Sequence, residues 1–60
     1  MLRSIIVDDE LKSRETLRMM ITSFCHGINV VATCQNIKEA MEAMQTFKAD
    51  VVFLDVQMQG

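Results

Sequence analysis

The chain has no proline, no tryptophan and no tyrosine, and only two glycines, Gly27 and Gly60, among its 60 residues. With so little of either breaker there is no Pro- or Gly-rich linker to divide the chain, and no internal repeat or low-complexity segment stands out. Two glycines also exclude the G-x-G-x-x-G and G-x-x-x-x-G-K-[ST] phosphate cradles, and with them a nucleotide-binding domain of either kind. The only cysteines, Cys25 and Cys34, lie in no metal-type spacing and read as ordinary thiols of a reduced, cytoplasmic protein. The first apolar run, Ile5 to Val7, is too short for the core of a signal peptide. No run is long enough to span a bilayer, so no membrane role is expected. The six cationic residues are scattered and the net charge is -2, so there is no basic footprint for nucleic acid.

Half the residues are apolar, which excludes a disordered segment. A chain this short buries only about 60% of the surface it exposes when unfolded, so it can supply one small core. The apolar pattern predicts a strand (β1) over 2–7, a helix (α1) over 10–25, a strand (β2) over 28–33, a helix (α2) over 37–48 and a strand (β3) over 51–55. In α1, Leu17, Met20, Ile21 and Phe24 form one apolar stripe, with Arg14, Glu15 and Arg18 facing away. Asp8 or Asp9 is placed to cap it, Glu10 suits the positive end of its dipole, and Gly27 is expected to stop it. In α2, Ile37, Ala40, Met41, Met44 and Phe47 form the stripe, and Asn36 with Glu39 makes a capping-box pattern. Met19, Met20, Met41 and Met44 read as core or near-core residues, and His26 as a solvated turn residue.

Alternating strands and helices imply a parallel sheet with right-handed crossovers. β1 and β3 are the most apolar strands and should be neighbours, giving the spatial order 2-1-3 with one helix on each face. Functional groups gather at the carboxyl ends of such strands, at the point where the winding reverses. Asp8 and Asp9 follow β1 and Asp55 ends β3, so three carboxylates are expected in one patch. Alone, Asp8-Asp9-Glu10 reads equally well as a helix cap. With Asp55 it reads as a site where a divalent cation such as Mg²⁺ relieves the repulsion, as phosphoryl chemistry requires.

The runs MLRSIIVDDE, LKSRETLRMMI and VVFLDVQM resemble the first half of a bacterial response-regulator receiver domain, and the resemblance covers all 60 residues. They are most similar to receivers that precede a LytTR-type DNA-binding domain. The resemblance implies a flavodoxin-like (CheY-like) doubly wound α/β fold, truncated to β1-α1-β2-α2-β3. It makes Asp55 the phospho-acceptor and assigns Mg²⁺ to Asp8, Asp9, Asp55 and the backbone carbonyl of Gln57. It implies a sensor histidine kinase as partner, and DNA only through an output domain that is absent here. Leu11 and Gln59 stand where the family usually has proline. The Ser or Thr and the Lys that the family places after its fourth and fifth strands have no counterpart after Lys48. Residues 1–60 are therefore expected to be the N-terminal half of a receiver, and not an enzyme. A haloacid-dehalogenase-type enzyme would need an acid two residues after the nucleophile, where this chain has Gln57. The alternative is a truncated receiver without phosphotransfer activity, folded as a self-associating module. A homodimer through the exposed β3 edge is the expected assembly.

Overall fold

The computed structural model describes residues 1–54. The elements are β1 (Leu2–Val7), α1 (Leu11–Phe24), β2 (Ile28–Cys34), α2 (Ile37–Phe47) and β3 (Val51–Leu54). The sheet is parallel in the order β2-β1-β3, as the apolar ranking of the strands predicts. This is the first part of a flavodoxin-like fold. The register sets Val7 level with both Cys34 and Leu54, so three strands end in line. Between Ser4 and Ile5 the pairing skips one residue of β2: Ser4 is level with Val30 and Ile5 with Ala32, leaving Val31 as a bulge.

β1 is buried because it has a strand on each side and a helix on each face. Ile5 and Ile6 are wholly inaccessible. Both helices lie against β1 and β2 but not against each other, which puts them on opposite faces. Ile5 and Val7 pack with Cys34 and Ala40 on the α2 face, joined by Val31, Ala32, Ala43, Ala49 and Val52. Strand alternation sends Ser4 and Ile6 to the other face. The buried Ser4 hydroxyl donates to the Asn29 carbonyl at 3.1 Å, so it is not left unpaired.

The apolar stripes differ from expectation. In α1 only Ile21 is buried; Leu17 is half-buried, and Met19, Met20 and Phe24 are exposed. In α2 the sheet is met by Ala40 and Ala43, while Ile37, Met41, Met44 and Phe47 are exposed. The reason is breadth. The helices rest on two strands and neither runs along β3, so nothing among the described residues covers their flanks.

The helix ends also correct the sequence reading. α1 has Glu10 at its N-cap without a side-chain cap bond. Asp8 instead accepts the Glu10 amide at 2.9 Å, a turn closed two residues along. α1 leaves through an extended Cys25, and Gly27 does not adopt the left-handed conformation expected of a stop. The left-handed residue is Lys48 at the end of α2, with φ 51° and ψ 57°. The Asn36 cap is as expected: its side chain accepts the Glu39 amide at 2.8 Å. Glu39 returns the bond to the Gln35 amide at 3.2 Å, one residue before the usual partner. At the far end of the sheet, Arg3 and Asp50 bind each other's backbone. The Arg3 amide donates to Asp50 Oδ2 at 3.0 Å, the Asp50 amide donates to the Arg3 carbonyl at 2.8 Å, and the Arg3 guanidinium reaches the Phe47 carbonyl at 3.1 Å.

Two substitutions in the full-length protein separate the real helix signal from the apparent one. Asn36→Ala removes a formed cap and should cost about 1 kcal/mol in urea unfolding. Gly27→Ala should be neutral or slightly stabilising, because a Cβ there meets nothing within 4 Å. A loss above roughly 1 kcal/mol at Gly27 would show that the glycine is needed after all.

Candidate functional site at the carboxyl edge of the sheet

Asp8 is the residue that the aligned strand ends present. Although charged, it is only 4% exposed. Its position is held by three bonds. Its amide donates to the Cys34 carbonyl at 3.0 Å, continuing the β1–β2 ladder by one residue. Its Oδ1 accepts from the Glu10 amide at 2.9 Å. Its own carbonyl accepts from Arg14 Nη1 at 2.9 Å. The remaining carboxylate oxygen, Oδ2, is buried and has no partner among the described residues. An unpaired buried acceptor is costly, so an orphaned oxygen at a strand end calls for a ligand, and a cation is the chemistry that fits a carboxylate.

Asp9 is exposed beside it. The other two expected site residues, Asp55 and Gln57, lie outside the described residues. Among the described residues no group of three His, Cys, Asp or Glu side chains gathers at one point. The expected trio includes Asp55, which lies outside the described residues. Sequence reasoning missed Arg14, which turns inward from α1 instead of facing away. A faint signal was available: a cation near a helix N-terminus opposes the dipole and calls for a nearby compensating group. Here that group is the Asp8 carbonyl.

Cys34 closes the site's floor on the α2 side. Burial pushes its thiol above the ordinary value, Glu39 adds to the rise, and Arg14 opposes it. Its carbonyl, not its sulfur, serves the site. Cys25 is only half-buried.

Residues 5–60 match the response regulator receiver domain. The chain belongs to the response regulator receiver family. It is thus a receiver of the kind used in two-component signalling. It is 55% identical over 58 residues to an uncharacterized response regulatory protein of Yersinia pestis, covering 97% of this chain and 24% of that protein. The transcriptional regulatory protein BtsR of Salmonella typhi is 41% identical and that of Escherichia coli K12 is 40% identical, with the same coverage of both chains. The receiver chain therefore spans about a quarter of the length of these relatives. No solved structure matches at the same stringency. No helix among the described residues is long and apolar enough to cross a membrane.

The cysteine environment makes a prediction with a defined sign. The unfolded chain gives up the Cys34 proton at lower pH than the folded one. Its contribution to stability is full below the ordinary thiol value and is lost as pH rises through the folded value. In the native protein, iodoacetamide at mildly alkaline pH should label Cys25 about tenfold faster than Cys34, because burial withholds the thiolate. Equal rates, read by peptide mass, would contradict the buried placement.

Proposed function

We propose that this receiver accepts a phosphoryl group on Asp55, with Mg²⁺ held by Asp8, Asp9, Asp55 and the backbone carbonyl of Gln57. The supporting observation is Asp8 Oδ2, a buried carboxylate oxygen without a partner among the described residues, at the edge where such sites form. A hard cation with oxygen ligands is the chemistry that satisfies it. Asp9 offers a second carboxylate beside it. Leu54, which precedes Asp55, is level with Val7, which precedes Asp8. That alignment favours a shared site for the two acids.

In this reading Asp55 is the nucleophile. One of its carboxylate oxygens forms a P–O bond while the P–N bond of a phosphorylated histidine breaks, and the electron pair stays on the imidazole nitrogen. The histidine belongs to a sensor kinase. Bound Mg²⁺ would neutralise charge on the equatorial oxygens of the group in transit. Asp8, fixed by its three bonds, gives the site a preorganised carboxylate. The 60 residues are the N-terminal half of the receiver. The rest of it, and a LytTR-type DNA-binding output domain for transcriptional control, belong to the longer protein in the cytoplasm. The naming of the BtsR relatives as transcriptional regulators favours that output. The protein is a signalling acceptor and not an enzyme.

Incubating the full-length protein with a small-molecule phosphodonor and Mg²⁺ should add one phosphoryl mass. Asp55→Asn should abolish the gain, and a mutant that is modified at the wild-type rate would sink the assignment.

The 60 residues expressed alone call for a second reading, favoured by the β3 edge. Among the described residues β3 pairs with β1 only, and half-buried Val51, Val52 and Phe53 leave apolar surface beside an open edge. Such an edge is a template for another chain, and a two-fold axis uses it twice. Two three-stranded sheets would join antiparallel into one of six strands. This piece should therefore sediment as a dimer at micromolar concentration, take up no stable phosphoryl group, and dissociate with Val52→Pro. A well-folded monomer would rule the dimer out.

A further inference from the structure

We infer that Arg14 is a positioning residue for the cation site, acting through the main-chain carbonyl of Asp8; this rests on the Mg²⁺ reading of that site. Asp8 has four polar atoms to account for. The amide is taken by the end of β2, Oδ1 by the Glu10 amide, and Oδ2 is the free oxygen. The carbonyl accepts from Arg14 Nη1 of α1 at 2.9 Å, its one partner among the described residues. Asp8 follows the last residue of β1, so ladder pairing no longer constrains its carbonyl. Without Arg14 the Asp8 carbonyl loses its tie to α1, and the backbone that carries Asp9 beside Asp8 is less firmly fixed. The guanidinium thus ties the helix that follows the acid pair to the strand that precedes it, across a loop of three residues, Asp8 to Glu10.

Arg14 also brings a positive charge toward a site read as cationic. The two effects have opposite signs. By charge alone, removing Arg14 would tighten Mg²⁺ binding, since one repulsive neighbour is gone. By positioning, removing it would weaken binding, since the ligand pair is no longer held. The structure favours the second effect. The side chain is half-buried and committed to a carbonyl, and outer partners of metal ligands typically change affinity by roughly 10- to 100-fold when lost.

The test is Mg²⁺ titration of the full-length protein by calorimetry, without any phosphodonor, alongside hydrogen exchange of the Glu10 amide in the metal-free state. Arg14→Met should raise the dissociation constant about tenfold, the low end of that range, and should speed Glu10 exchange. Arg14→Lys, which keeps a donor of nearly the same reach, should fall between the two. Ile21→Val destabilises the same helix without touching Asp8, and should leave the constant unchanged in the folded protein. If Arg14→Met tightens binding or leaves it unchanged, positioning is overturned while the Mg²⁺ reading stands. If the wild type takes up no Mg²⁺, or Asp8→Asn binds as well as wild type, the site reading fails and this inference fails with it. Should Arg14→Met not fold, Arg14→Lys decides: binding equal to wild type with unchanged Glu10 exchange sinks the proposal.

Discussion

Everything in this receiver depends on β1 being enclosed on four sides. It is the strand with a neighbour on each edge and a helix on each face, and its last four residues have almost no contact with solvent. Burying a side chain of the size of Ile is worth roughly 1.5–3 kcal/mol, and Ile5, Ile6 and Val7 do so in succession. That run is what fixes where the chain emerges from the sheet. Asp8 is the first residue beyond it, still buried, so the position of a charged group is set by the packing of three apolar ones.

The same enclosure explains why an unsatisfied oxygen is tolerated at Asp8. A carboxylate in a loop would turn to water. This one is anchored by its amide, its carbonyl and Oδ1, and cannot turn without giving up those bonds. Local structure thereby creates a directed acceptor instead of a solvated one. The burial of three apolar residues in succession offsets the cost of holding it there.

Much of this was legible in the sequence, and the failures share a cause. The strands were readable because short apolar runs with acids at their ends mean little else in an alternating pattern. The Asn36 cap was readable because its partners lie within three residues. Periodicity, by contrast, identifies side chains that share a face without saying whether anything covers that face. Met20, Phe24, Met41 and Met44 follow the helical period and are exposed all the same. Arg14 was misread because its partner is reached across a loop, which no spacing rule encodes. Lys48 carried no signal, since a left-handed turn without glycine or asparagine looks like any other residue. Asp55 and Gln57 lie outside the described residues, so Asp55 rests on its place at a strand end and on the family resemblance, and Gln57 on the resemblance alone.

The bulge at Val31 has a consequence for what the core is made of. Side chains alternate along a strand, so a slip of one position exchanges the two faces. The surplus residue sends both Val31 and Ala32 toward α2, and from there the alternation resumes with the opposite parity. Thr33 is thereby turned outward and Cys34 inward. In an unbroken pairing Thr33 would stand level with Val7, and a hydroxyl would have to be accommodated beneath Ala40. One inserted residue thus selects a thiol over a hydroxyl for the layer just under the acid pair, and keeps that layer dry.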